Sequence, residues 1–137
     1  MKLLQRILKP KKLLNNQSLN LNSPSQKMGD FYEQKALKQL EAQGLTCLEK
    51  NFCCKLGEID LIMQQQQTIV FIEVRYRKQN KFGSALESVT PSKQAKLIRT
   101  ANLYLTQHQL HNKAACRFDV VTFDNEQFNW IKNAFSS

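Results

Sequence analysis

The chain has 137 residues, enough for one domain around one hydrophobic core. Hydrophobic residues make up 42%, which excludes disorder of the whole chain, and the composition excludes collagen-like, disulfide-framework and long coiled-coil classes. Lysine and arginine (20) outnumber aspartate and glutamate (11), and the net charge of +9 points to a polyanionic partner, either nucleic acid or an anionic membrane surface.

The N-terminal stretch MKLLQRILKPKKLLNNQS mixes leucines with Lys2, Arg6, Lys9, Lys11 and Lys12. Its apolar part is too short and too interrupted for a signal peptide. Pro10 and the Asn/Ser-rich stretch Asn15–Ser25 make residues 1–26 a flexible basic tail; a basic amphipathic arm that touches phosphate or lipid is the alternative. Residues 27–137 then form the single domain. No apolar run reaches the roughly 18 residues of a membrane span, so integral membrane association is not expected. Cys47, Cys53, Cys54 and Cys116 include no C-x-x-C pair, and His108 and His111 complete no familiar zinc set. The cysteines read as reduced thiols of a cytoplasmic protein.

A first helix is predicted over 27–43, with Tyr32, Ala36, Leu37 and Leu40 as its core stripe and Gly44 as its C-terminal glycine. Extended segments follow at 45–51, 58–64 and 68–77, the last two joined by a tight glutamine-rich turn. Residues 78–89 carry no period and read as a loop. Thr90 and Pro91 open a second helix as N-cap and first helical residue, with Ala95, Ile98, Ala101 and Leu105 as its buried stripe. Residues 117–123 (RFDVVTF) are apolar on both faces and suit a central, covered strand. The tail, 128–135, reads as an edge strand or a short helix. The order α-β-β-β-α-β predicts an α/β mixed sheet with helices packed on it.

Strict alternation puts Glu58, Asp60 and Ile62 on one face of their strand, and Glu73 and Arg75 on one face of the next. If the hairpin turns at Gln66–Gln67, Asp60 lies opposite Glu73. Two carboxylates among aliphatic residues are expensive to bury unpaired. Either Arg75 and another basic side chain neutralise them, or a divalent cation does, with Mg²⁺ or Mn²⁺ suited to oxygen ligands. Lys96 and Arg99 share a face of the second helix and, with Lys93, can meet a phosphate backbone; a merely solvated basic face is the plainer reading. Tyr76 reads as packing, Asp119 as a local partner of Arg117 or a further acid near the site, and Glu58 as a metal ligand, a residue supporting the ligands, or simply solvent-exposed. The scattered glycines form no phosphate-binding loop, and no Ser-His-Asp or Cys-His arrangement is present.

Gly57-Glu58-Ile59-Asp60-Leu61-Ile62, Val70-Phe71-Ile72-Glu73-Val74-Arg75-Tyr76-Arg77, Ser92-Lys93 and Arg117-Phe118-Asp119-Val120-Val121, in that order, resemble the YraN family of small, endonuclease-like bacterial proteins. The likeness covers roughly residues 29–123. That family in turn resembles the restriction-endonuclease-like fold, a three-layer α-β-β-β-α-β core that archaeal Holliday-junction resolvases share. The pattern of that fold is an Asp on one strand and Glu-x-Lys on the next. The resemblance therefore implies a metal-dependent endonuclease with Asp60, Glu73 and a helical Glu33 as metal ligands, and Arg75 in the lysine position. It implies Mg²⁺ or Mn²⁺ as cofactor, and Arg77, Lys93, Lys96 and Arg99 as nucleic-acid contacts. DNA, structured or branched by analogy, is the expected substrate, and a homodimer is the arrangement that junction-cutting enzymes often adopt. Arginine also occurs at this place within the resembled family, but it is effectively always protonated and cannot act as a general base. A non-catalytic nucleic-acid-binding module that keeps the fold is the alternative.

Overall fold

A computed structural model describes residues 23–78 and 85–137. The expected N-terminal tail up to residue 22, and the middle of the expected loop at 78–89, lie outside the described residues. Helix α1 spans Pro24–Ala42 and starts earlier than residue 27, because Ser23 caps it: the Ser23 hydroxyl accepts the Gln26 N–H at 3.1 Å, and Pro24 fills the first turn. Its C-terminus closes with two reversed hydrogen bonds, Gly44 N–H to the Glu41 carbonyl (3.0 Å) and Leu45 N–H to the Leu40 carbonyl (3.1 Å). This is the Schellman pattern, and it needs the left-handed backbone of Gly44, at φ +98°. Tyr32, Ala36 and Leu40 are buried as predicted, with Leu37 packed beside them.

Strands β1 (Thr46–Cys54), β2 (Gly57–Gln65) and β3 (Thr68–Arg77) form an antiparallel meander. Two-residue turns close both hairpins, Lys55–Leu56 and Gln66–Gln67, the latter with Gln66 at φ +53°. Gly57 opens β2 at φ +155°, where a Cβ would stand 3.0 Å from the Thr100 hydroxyl oxygen and 3.7 Å from Lys96 Cβ. The glycine lets this turn lie directly against a helix. A one-turn 3₁₀ helix, Ala85–Ser88, leads into helix α2, Pro91–Gln107. Thr90 caps α2 as predicted, its hydroxyl accepting the Lys93 N–H at 3.2 Å.

The chain then enters β4 (Ala115–Asp124), parallel to β3, and returns through β5 (Gln127–Phe135), antiparallel to β4. The tail is thus an edge strand, not a helix. Asn125 and Glu126, both at positive φ (48° and 73°), make the turn between them in the manner of a type I′ hairpin. Strand order in the sheet is β1-β2-β3-β4-β5. β4 is the covered central strand expected, buried from Phe118 to Phe123.

The sheet sorts its side chains between the two helices. Ile59, Ile62, Ile69, Phe71, Phe118 and Val120 pack in one cluster with Leu97, Ala101, Tyr104 and Leu105 of α2. Leu61, Met63, Val70, Ile72, Val121 and Phe123 pack in another with Tyr32, Ala36 and Leu40 of α1. The result is a three-layer α/β fold with a five-stranded mixed sheet, the nuclease-like arrangement expected, extended by one strand.

Two details depart from simple periodicity. The α2 stripe is Leu97, Thr100, Ala101, Tyr104 and Leu105, while Ala95 stays half-exposed and Ile98 packs at the margin, because Gly57 lets the β1–β2 turn press on this side of the helix. On β2, Ile59 and Ile62 share a cluster although three positions apart, so strict alternation fails between them and Asp60 does not sit simply on the face of Ile62. No helix among the described residues is long and apolar enough to cross a membrane.

Candidate functional site

The β2–β3 pairing runs from Gln65↔Thr68 to Leu61↔Ile72, a register that sets Asp60 against Glu73 as the next opposition. The regular ladder ends there. Asp60 Oδ2 accepts the Val74 N–H at 2.8 Å, so a side chain replaces the neighbouring strand as acceptor. This is the physical reason that alternation breaks at Asp60: its carboxylate lies along the strand gap, facing β3. The Glu73 carboxyl group comes from the position that follows Ile72 on β3, across from it. Burial first, then Glu73, pushes Asp60 well above the usual carboxylate range, while the Val74 N–H and the Lys93 charge pull it partly back.

Glu73 is 4% exposed and is met by two cations. Lys93 Nζ, from the first turn of α2, lies 3.4 Å from Glu73 Oε2. Arg75 Nε lies 3.9 Å from the same oxygen. The Arg75 guanidinium is fixed elsewhere: its Nη2 donates to the Ser88 carbonyl at 2.9 Å, and its buried Nε makes no hydrogen bond.

Glu33 approaches from α1, the residue after buried Tyr32. With its amide nitrogen turned toward the acids, Asn51 of β1 donates to Glu33 Oε1 at 2.8 Å and to Glu58 Oε1 at 3.3 Å. Asn51 has φ +52°, a left-handed conformation that asparagine tolerates better than most residues. Burial, followed by the charges of Asp60, Glu58 and Asp30, raises Glu33 to about 7. Glu33, Glu58, Asp60 and Glu73 thus form one acidic neighbourhood around the start of β2. Among the described residues, no three acids, histidines or cysteines converge as a ready-made metal cage. The Asp60–Glu73 pair alone fits a hard divalent cation: two oxygen-donor side chains on opposed strand positions, with burial favouring the proton on Asp60 that such a cation would displace. Mg²⁺ commonly takes one or two carboxylates and leaves its other positions to water and phosphate.

The remaining predicted residues separate. Lys96 and Arg99 are exposed on α2. Arg77 is held by Asp124 through two bonds, Nε to Oδ1 at 2.7 Å and Nη2 to Oδ2 at 3.1 Å. Tyr76 stacks on Tyr32 with ring centroids 4.3 Å apart, and so packs as expected. Asp119, 1% exposed, pairs with Arg117 at 3.0 Å and also accepts from Trp130 Nε1 and the Asn133 N–H; it ties β5 to β4, away from the acid pair. The four cysteines are free thiols, and none is fully buried. Sequence reasoning missed Asn51, the Val74 N–H and the Ser88 carbonyl. Asn51 offered one faint signal, an asparagine inside an otherwise extended segment; the two backbone groups offered none.

A family model described as "Uncharacterised protein family UPF0102" matches residues 32–123. A UPF0102 protein of Alkalilimnicola ehrlichii is 45% identical over 124 residues, covering 90% of this chain and 98% of its own. One from Coxiella burnetii is 50% identical over 113 residues (82% and 94% of the two chains), and one from Vibrio parahaemolyticus is 49% identical over 111 (80% and 92%). The matched span takes in Glu33, Asp60, Glu73, Arg75 and Lys93, the residues that meet around the β2–β3 hairpin, and the chain belongs to the UPF0102, or YraN, family.

Proposed function

We propose that this protein is a metal-dependent endonuclease that hydrolyses phosphodiester bonds in DNA, with structured or branched DNA as the substrate class. The observation that carries the proposal is the opposition of Asp60 and Glu73 on neighbouring strands, with Asp60 held by the Val74 N–H and buried Glu73 flanked by two basic side chains. Acidic groups are costly to desolvate in a hydrophobic setting, and groups so perturbed cluster at functional sites.

Asp60 and Glu73 would hold Mg²⁺ or Mn²⁺. Such a cation polarises the phosphodiester and acidifies water, which makes a nucleophile available near neutral pH. Asp60 is oriented by the Val74 N–H, and Glu73 by its place in the covered part of β3. Glu33, steadied by Asn51, would complete the ligand set or orient the attacking water. Arg75 cannot remove a proton from water and contributes positive charge only. Lys96 and Arg99 would meet the DNA backbone, whereas the Arg77 guanidinium is engaged by Asp124.

The test is cleavage of labelled branched, single-stranded and duplex DNA in Mg²⁺ or Mn²⁺, beside the double variant Asp60→Ala/Glu73→Ala. Wild type should cut in a metal-dependent way, and the double variant should fall to background. A specific observation favours a second reading, a binding module without turnover: the lysine position holds an arginine tied to Ser88. Absence of cutting by wild type, together with salt-sensitive DNA binding by both proteins, would establish that reading and overturn the first.

A further inference from the structure

The two cations beside Glu73 are held differently. Arg75 is anchored through Ser88, on the segment that enters α2, and its planar group has little freedom. Lys93 has its backbone fixed by the Thr90 cap, but its ammonium has one side-chain partner among the described residues, Glu73 at 3.4 Å. The Lys93 side chain is 38% exposed while that of Glu73 is 5% exposed, so the ammonium has room to swing away, but only when another cation takes over the neutralisation of Glu73. The position is also electrostatically odd. A lysine in the first turn of a helix faces the positive end of the helix dipole, and α2 has no acidic residue there to offset it. Lys96 follows one turn later and is exposed.

We infer that the Lys93 ammonium is a placeholder cation: it neutralises Glu73 until a divalent cation binds Asp60 and Glu73, and then turns to a phosphate of the bound nucleic acid. Arg75 stays on Ser88 as a fixed part of the wall. The cation that Glu73 gives up is thus the one carried by a helix, not the one on its own strand. This rests on the reading of Asp60 and Glu73 as cation ligands. Cation and nucleic acid then bind with positive coupling, because one side chain is released by the first and used by the second.

The experiment measures binding of a labelled DNA oligonucleotide by the full-length protein as a function of salt, in Ca²⁺ and in EDTA, for wild type, Lys93→Met and Lys93→Arg. Calorimetric titration of each protein with Ca²⁺ alone runs in parallel, and circular dichroism checks folding. In Ca²⁺, Lys93→Met should lower the slope of log affinity against log salt by about one unit, which is roughly a three- to fourfold smaller loss of affinity between 50 and 200 mM salt. In EDTA its slope should equal that of wild type, and Lys93→Arg should keep the wild-type slope in both. Equal slopes for wild type and Lys93→Met in Ca²⁺, or the same reduction with and without Ca²⁺, would overturn the Lys93 assignment alone. Failure of wild type to bind Ca²⁺ would overturn the cation reading of Asp60 and Glu73 and this inference with it. A wild type that binds Ca²⁺ and shows the slope change, yet never cuts, would leave Lys93 in its place and remove only the nuclease activity.

Discussion

A carboxyl group that keeps its proton in the folded state makes stability depend on pH in one direction. Glu33 is raised to about 7 and Asp60 is raised well above its usual range, both chiefly by burial. For each, the folded state binds the proton more tightly than the unfolded chain, so the contribution is fully present below the unfolded value, about 4, and is lost as pH rises through the folded one. Asp124 behaves oppositely: its hydrogen bond to Arg77 lowers it, so its contribution is lost only as pH falls below the ordinary carboxylate range. The melting temperature, measured without divalent cations, should therefore fall as pH is raised from about 5 to about 8. Glu33→Gln should flatten part of that fall, and Mg²⁺ should raise the melting temperature more at the upper end than at the lower. A melting temperature that climbs steadily across this interval would contradict the raised Asp60 and Glu33. Asp60 and Glu73 were legible as a pair because a hairpin register follows from its turn, and a turn near Gln66–Gln67, within the glutamine run, sets them opposite each other. The Lys93–Glu73 contact was not legible, since its partners come from a strand and a helix twenty residues apart whose docking no local pattern encodes.

Between elements, the β1–β2 turn approaches α2 closely at Gly57. A Cβ on Gly57 would meet the Thr100 hydroxyl at 3.0 Å in a backbone conformation that side chains rarely adopt. Thr100 is itself fully buried, and its hydroxyl donates to the Lys96 carbonyl at 2.8 Å, so it has no room to retreat. Gly57→Ala should thus destabilise the fold by about 1–3 kcal/mol, read from urea denaturation, and should loosen the start of β2 three residues before Asp60. An unchanged denaturation midpoint would show that the turn can lift from the helix freely. Helix starts, the glycine stop at Gly44 and the covered strand β4 were all readable, because caps and apolar runs are local signals. Strand β5 was ambiguous for a physical reason: its alternation is interrupted at Asn133, which sits at φ +52° and gives its N–H to Asp119 instead of keeping regular register.

At the scale of the molecule, the charge of +9 has a consequence that does not depend on turnover. Under either reading of the proposed function, affinity for DNA should fall steeply and linearly on a logarithmic salt scale. Lys96→Gln and Arg99→Gln should each reduce that slope by about one unit, with the loss similar across unrelated sequences, as measured by fluorescence anisotropy. Binding insensitive to salt would remove nucleic acid as the partner. The three-layer arrangement was predictable from the order of elements alone, whereas the strand that completes the sheet depended on one buried carboxylate, Asp119.

The strand order has a different kind of consequence. Because β1 to β5 follow one another across the sheet as they do along the chain, three of the four strand pairings are hairpins closed by two-residue turns. Only β3 and β4 must find each other over a long loop, with α2 between them. The hairpins can form within microseconds and need little loss of chain entropy, so closing that single loop is the slow event in folding. The acid pair lies wholly inside the β2–β3 hairpin, and its two carboxyl groups are therefore brought together before the β3–β4 loop closes and before the lysine of α2 arrives to neutralise them. Acidity or a divalent cation in the refolding medium would ease that early encounter, while the slow closure of the β3–β4 loop would keep its own pace.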